Sequence, residues 1–268
     1  MKTRHRLILE LLEVRGACTY QELSDKFDVS TMTIRRDVDF LANQERVIKT
    51  LGGVQNAQAP SYLFETPLYS RISANRSAKQ AIAETAVGLI EPGQTLFIDG
   101  STTCLHLARL IAGRCERLTI VTNSALTSIE LGKNSNNMIV CLGGQLESDT
   151  VSFVGPSAEE AAGKFFVDVA LVSTKGFIPA EGTFESSVGN VRIKQMFAEQ
   201  SAKTILLVDH SKFGTRALTK ALDVARISIV VTDRPLAKMD AATLKRQSNE
   251  VLIANAKRRS RKEAARAS

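Results

Sequence analysis

No apolar run in the 268 residues approaches the roughly 20 that a membrane-crossing helix needs, so no membrane partner is expected. The opening stretch MKTRHRLILELLEVRG places basic residues before apolar ones, but Glu10 and Glu13 interrupt it and no cleavage site follows, so it does not read as a signal peptide. The four cysteines, Cys18, Cys104, Cys115 and Cys141, show no CxxC spacing and no partner histidines at a zinc-site spacing. Neither a zinc site nor a disulfide framework is expected, and a reducing cytoplasm is the expected setting. The three histidines, His5, His106 and His210, are scattered and read as structural or surface groups. No phosphate-binding loop of the GxxxxGK[ST] type is present, nor a GxGxxG after the first long strand, which disfavours nucleotide binding and implies no cofactor.

What is there begins with charge. The net charge is +7, but from Lys245 onward eight Lys or Arg face two acids, giving +6 in the tail and +1 in all the rest. Global basicity is therefore no argument for nucleic acid; such a tail is usually solvated. Hydrophobic residues make up 44%, enough for a packed core in one or two domains.

The first fifty-odd residues carry a more specific pattern. Leu7, Ile8, Leu11 and Leu12 recur at helical spacing, with Gly16 as a stop. Thr19 with Glu22 is a capping box, and Leu23 and Phe27 follow at i and i+4. Ser30 caps a third helix, in which Ile34, Val38 and Leu41 face inward while Thr31, Met32, Thr33, Arg35 and Arg36 cluster near its start. RVIKTLGGVQ then reads as strand, Gly-Gly turn and strand. That order is a winged helix-turn-helix: the start of the third helix enters the major groove, where Ser30, Thr31, Met32, Thr33, Arg35 and Arg36 meet base edges and phosphates. A three-helix protein-interaction bundle is the competing reading.

After QNAQAPSYLFETPLYSR, polar with two prolines, helices alternate with short apolar runs such as QTLFID, LTIVTN, VDVALVS, KTILLVD and ISIVVTD. This predicts an α/β fold with a largely parallel sheet, whose ligands bind at the carboxyl ends of strands. Polar residues gather there: Asp99, Ser101, Thr102 and Thr103; Asn123; Gly143 and Gly144; Lys175; and Asp209, His210, Ser211 and Lys212. A helix start with three hydroxyls suits a phosphate. Lys194 or Lys212 would supply positive charge, and Asp99, Asn123 and Glu185 would meet sugar hydroxyls.

Arg4, Ile8 and Leu12 followed by Ser30, Thr33 and the run TIRRD resemble the helix-turn-helix signature of the DeoR family of bacterial transcription regulators. FIDGSTTCLHLA, VTNS, LGG, the lysine of VRIKQMF and VDHSKFG resemble the same family's sensor domain, to about residue 235. The resemblance implies a winged helix-turn-helix at 1–58, a linker at 59–75, a sensor domain at 76–236 similar in fold to ribose-5-phosphate isomerase, and a basic C-terminal segment at 237–268. It implies a wing contact through Lys49, Gly52 and Gly53, with Leu51 where the family carries histidine. It implies an effector site for a phosphorylated sugar or sugar acid, with Ser101 where the family carries glycine and Lys175 where it carries an acid. The expected partners are operator DNA, the effector and further copies of the chain in a homo-oligomer. A ligand-controlled repressor is the expected function; a sugar-phosphate isomerase with an added DNA-binding head is the alternative.

Overall fold

A computed structural model describes residues 3–254 apart from 16, 45, 50, 51, 57–67 and 135. Gly16, Leu51, most of the expected linker and the basic tail from 255 onward lie outside the described residues. The chain divides into two compact units between Ser70 and Arg71.

The first unit comprises α1 (Thr3–Arg15), β1 (Ala17–Thr19), α2 (Tyr20–Phe27), α3 (Thr31–Asn43), β2 (Val47–Lys49) and β3 (Gly53–Asn56). The capping box at Thr19 and Glu22 is formed in both directions, and Ser30 Oγ accepts from the Thr33 amide at the start of α3. Asp28 ends α2 in a left-handed conformation, which turns the chain into α3. Ile8, Leu12, Leu23, Ile34, Val38 and Leu41 are fully buried in one core with Val54. The strand pair expected after α3 is present, but β3 sits between β2 and the short β1, in a three-stranded antiparallel sheet. Gly53 is required there, because a Cβ would lie 2.2 Å from the Cys18 carbonyl oxygen.

Asp37, the last residue of TIRRD, holds this unit together. It is buried on α3 and accepts hydrogen bonds from Arg4 and His5 of α1. Burial opposes its ionisation, but those two partners outweigh it and hold the carboxyl below the usual carboxylate range.

The second unit begins with the end of α4 (Leu68–Ser73) and α5 (Arg76–Ala86). There follow β4 (Thr95–Ile98), α6 (Thr102–Arg114), β5 (Thr119–Thr122), α7 (Ala125–Leu131), β6 (Met138–Cys141), β7 (Gln145–Glu147), β8 (Ser152–Val154), α8 (Pro156–Ala162) and β9 (Val167–Val172). The chain continues through β10 (Gly176–Ile178), β11 (Gly182–Glu185), α9 (Val188–Glu199), β12 (Ser201–Leu207), β13 (Thr219–Lys220), β14 (Ile229–Thr232), α10 (Lys238–Arg246) and β15 (Glu250–Ile253). Seven strands form one sheet in the order β15-β14-β12-β9-β4-β5-β6, every neighbouring pair parallel.

Alternation along the strands sends side chains to two cores. Leu96, Ile98, Ile120, Val169 and Leu171 pack with Ile82 of α5 and Leu107 and Ile111 of α6. Phe97, Val121, Ala170 and Val172 pack with Ala158 of α8 and Ile193 and Phe197 of α9. Both faces are covered, which is why the strands read as unbroken apolar runs. From β4 the chain winds outward through β5 and β6, then returns to the other side of β4 at β9. The crevice between β4 and β9 is thus the topological switch point, where such sheets bind ligands.

Replacing Asp37 by alanine removes the acceptor shared by Arg4 and His5. The first unit should lose about 2–4 kcal/mol in denaturant unfolding at neutral pH. The depressed carboxyl pKa means that this contribution is present at neutral pH and fades as the solution is acidified through the carboxylate range, so the variant and the parent should converge there.

Candidate functional site

On the first unit, the exposed start of α3 carries the residues expected to meet DNA. Met32, Arg35 and Arg36 are exposed, and Thr31 and Thr33 are half-buried. Ser30 and Thr33 hydroxyls bond each other at 3.0 Å, so part of their capacity is spent on the helix start. Arg35 sits over the Tyr20 ring, 5.1 Å from its centroid, which fixes the direction of its guanidinium. Arg36 makes no ion pair among the described residues. Lys49 of β2 is paired with Asp39 of α3 at 2.5 Å, tying the wing to the recognition helix. Gly52 is exposed with open space around its Cα, whereas Gly53 is buried for the packing reason given above.

On the second unit, Asp99 ends β4 at the switch point. One carboxylate oxygen accepts from the Ser101 amide and the other from the Ser173 amide beyond β9, both at 2.9 Å. Lys194 of α9 reaches into the same place. Its Nζ lies 3.1 Å from Asp99, bonds Glu185 at the end of β11, and donates to the Ser173 carbonyl at 2.7 Å. All three side chains are buried. Burial opposes each charge, but for Lys194 the two carboxylates outweigh it and raise its pKa above that of an ordinary lysine. For Asp99 the lysine and the amide bonds hold the carboxyl below its usual range.

Lys194 is therefore no spare cation for a ligand. The sequence offered it as a source of positive charge; the fold has already spent that charge on Asp99 and Glu185. Those two carboxylates are correspondingly engaged rather than open to sugar hydroxyls alone. The pairing was invisible in sequence because the three residues come from separate elements.

Beside this trio stands the start of α6. Ser101 is its N-cap, with Oγ accepting from the Cys104 amide at 3.2 Å. Thr102 and Thr103 are buried in the first turn, and the Thr103 hydroxyl lies 3.5 Å from that of Ser173. The first amides of a helix lack partners within it, and here they face the strand ends with the positive end of the helix dipole behind them. Gly100 is pressed against the β8 side: a Cβ would lie 2.1 Å from Ser152 Oγ and 3.3 Å from the Ser124 side chain.

A second polar network adjoins there. Asn123, after β5, donates to Asn190 Oδ1 at 2.9 Å and to the Phe153 carbonyl at 3.2 Å, and its own Oδ1 is buried with no partner among the described residues. Asn190 Nδ2 in turn faces Glu147, Thr150 and Ser187. Asn190, Thr150, Glu147 and Ser173 were not singled out from sequence. The only signal was Ser187 three residues before Asn190, the spacing of a helix cap, which the structure forms. Gly143 and Gly144 are exposed beyond β6, and Gly144 takes φ +137 where the chain turns into the β7–β8 hairpin. Lys175 is half-buried, its amide bonded to the Phe184 carbonyl.

Lys212 belongs to a third cluster, at the carboxyl end of β12. Asp209 caps the turn from His210 to Lys212, and Asn75 donates to Asp209 at 3.1 Å and to Ser211 at 3.0 Å. Nearby, Lys79 of α5 is buried and donates to the Arg71 and Ala74 carbonyls. Burial lowers its pKa to about 8 against the pull of Asp209, with Lys212 and Arg71 adding to the lowering. His210 Nδ1 pairs with Asp233 at 2.7 Å.

A family model described as a DeoR-like helix-turn-helix domain matches residues 4–59, and one described as a DeoR C-terminal sensor domain matches residues 74–234. The chain belongs to the DeoR family of transcription regulators. It is 34% identical over 234 residues to the HTH-type transcriptional repressor CsqR of Escherichia coli, covering 86% of this chain and 87% of that protein. It is 32% identical over 232 residues to the glycerol-3-phosphate regulon repressor of Escherichia coli, covering 87% and 90%. Among solved structures, ribose 5-phosphate isomerase A from Neisseria gonorrhoeae aligns with a TM-score of 0.39 at 16% identity, over 52% of this chain and 53% of that one. In this DeoR-family chain the sensor match spans the whole switch-point crevice, from Asp99 to Lys212.

Lys194→Met would leave Asp99 and Glu185 buried beside each other without their cation. The second unit should lose about 3–5 kcal/mol in chemical denaturation. An unchanged unfolding midpoint would show that the trio does not carry the stability assigned to it.

Proposed function

We propose that this protein is a repressor whose hold on operator DNA is controlled by a phosphorylated sugar, or a related sugar acid, bound at the carboxyl ends of β4, β5, β9 and β12. The observation that carries the reading is the coexistence of two features. One is a recognition helix with exposed Met32, Arg35 and Arg36. The other is a buried switch-point cluster built around an unencumbered helix start. The phosphate lies against the amides of Thr102 and Thr103 with the hydroxyls of Ser101, Thr102 and Thr103, and Lys212 and Lys175 contribute charge. Asn123 meets hydroxyl groups of the ligand above the paired Asp99 and Glu185, and Gly143 and Gly144 leave room at the rim. The name of the glycerol-3-phosphate regulon repressor fits a small phosphorylated effector for a protein of this kind.

On the DNA side, Ser30, Thr31, Met32, Thr33, Arg35 and Arg36 face the major groove, and Lys49, Gly52 and Gly53 approach the backbone as a wing. A homo-oligomer places two recognition helices in successive grooves, in the cytoplasm and on the nucleoid. Ligand binding favours the conformation with poorer helix spacing, and its effect is bounded by its differential affinity for the two states.

The isomerase alternative needs a base tuned near neutrality within reach of a substrate carbon. Asp99 is shifted the other way, towards a weaker base, and Lys194 towards a more firmly held proton. Lys79 is the one group here lowered toward neutral pH, and it is turned onto backbone carbonyls. These features support a sensor without turnover.

A paired test separates the two halves of the reading. Arg36→Ala should weaken binding to a duplex selected from a random pool about tenfold and reduce the salt slope by about one, with ligand binding unchanged. Thr102→Val should leave DNA binding without ligand intact and weaken the phosphorylated ligand at least tenfold. Equal DNA affinity in the first variant would remove α3 from the groove, and an unaltered response in the second would remove the phosphate from α6.

A further inference from the structure

The short strap from Arg71 to Asn75, with which the chain enters the second unit, is bonded to two of the three polar clusters and runs beside the third. Arg71 donates to the Asp149 carbonyl at 3.3 Å, in the turn between β7 and β8 whose neighbours Glu147 and Thr150 hold Asn190. The Ile72 carbonyl lies beside the ring of His106 on α6. His106 is buried, stands one helical turn beyond Thr102 and Thr103 on the same face, and its Nε2 has no partner among the described residues. Burial lowers its pKa to about 4, so the ring beside the strap is neutral. Asn75 bonds Asp209 and Ser211, in the turn that carries Lys212. Lys79 closes the strap on itself by donating to the carbonyls of Arg71 and Ala74.

Each pin is thus within a few residues of a group placed in the effector site. None of Arg71, Asn75, Lys79 and His106 is among the residues assigned to hold ligand. Asn75 takes φ +50, a left-handed conformation that asparagine tolerates, and that bend starts α5.

We propose that the strap Arg71–Asn75 is the relay of the switch: seating a phosphorylated ligand shifts the start of α6, the β7–β8 turn and the 209–212 turn, and the strap converts that shift into a displacement of the chain leading to the DNA-binding unit. The inference rests on the effector reading of the strand-end site. It adds that Asn75, Arg71 and His106 are positioning residues that carry coupling without contributing to ligand affinity.

The test uses the full chain and Asn75→Gly, which keeps the left-handed bend while deleting the bonds to Asp209 and Ser211, with Arg71→Ala as a second variant. The probe is whichever of ribose 5-phosphate, fructose 6-phosphate and glycerol 3-phosphate binds the parent tightest by calorimetry, with inorganic phosphate alongside. Amide hydrogen exchange is followed in residues 71–76, and affinity is followed for a duplex selected by the parent from a random pool. In the parent, the probe should change exchange of 71–76 and duplex affinity at least tenfold. In both variants, probe affinity should stay within threefold and probe-free duplex affinity should be unchanged. The tenfold effect of the probe on the duplex should fall to threefold or less. Full coupling in both variants would overturn the relay and leave the effector site standing. Loss of probe binding in step with coupling would make the strap part of the ligand site and overturn the relay as well. A parent that binds none of the probes, or binds one without changing duplex affinity, would overturn the effector reading and the relay with it.

Discussion

The ammonium of Lys194 is the constraint on which the second unit turns. It is buried with two carboxylates, and the cost of bringing those charges out of water is offset only because all of them meet at bonding distance, together with the Ser173 carbonyl. Lys194 comes from α9, Asp99 from the end of β4, Glu185 from β11, and Ser173 from the end of β9. One cation thus fastens both sides of the switch point and one covering helix. The amide of Ser101 is drawn onto Asp99 by the same arrangement, which sets the chain on its way into α6. The geometry of the helix start therefore follows from charge pairing one residue layer below it.

That dependence gives the site its character. The charged groups at the floor of the crevice are satisfied and locked, with pKa values moved away from neutrality rather than toward it. Beside them stand donors: the amides and hydroxyls at the start of α6 and, at the end of β12, Lys212. A parallel sheet with both faces covered is stiff, and under the proposed reading a ligand at its edge acts on the loops and on the strap from Arg71 to Asn75 more readily than on the strands. In the first unit Asp37 has the same part on a smaller scale, joining α3 to α1 so that the exposed face of α3 is presented on a rigid support.

The large elements were legible because their causes are local. Leu7 to Leu12, Ile34 to Leu41 and the apolar strand runs carry their periods on the surface of the sequence, and Thr19, Ser30 and Ser101 announce helix starts by capping chemistry. The polar strand ends were legible as well, since each follows an apolar run. What sequence could not give depends on pairs far apart in the chain. The three residues of β1 are too few to show a period, and they become a strand only because Gly53 allows β3 to approach. The β7–β8 hairpin and the small sheet of β10, β11 and β13 are similarly short. Lys194 reads as a free cation until Asp99 and Glu185 are folded against it. Asn190, Lys79 and His106 read as ordinary helix residues until the strap and the hairpin turn meet them. The family resemblance pointed to the strand ends, but which charges there are paired with one another was a matter of tertiary structure.

The central claim is that a phosphate-bearing ligand at the β4–β9 crevice changes the DNA affinity of the same chain. Fluorescence anisotropy of a duplex selected from a random pool, titrated with the full chain in the presence of phosphorylated sugars and of their unphosphorylated parents, measures this directly. The account predicts that at least one phosphorylated sugar shifts the dissociation constant tenfold or more, that its unphosphorylated parent leaves it unchanged, and that the sugar phosphate is recovered intact. Equal DNA affinity under every phosphorylated sugar, or conversion of the sugar phosphate to an isomer, would contradict it.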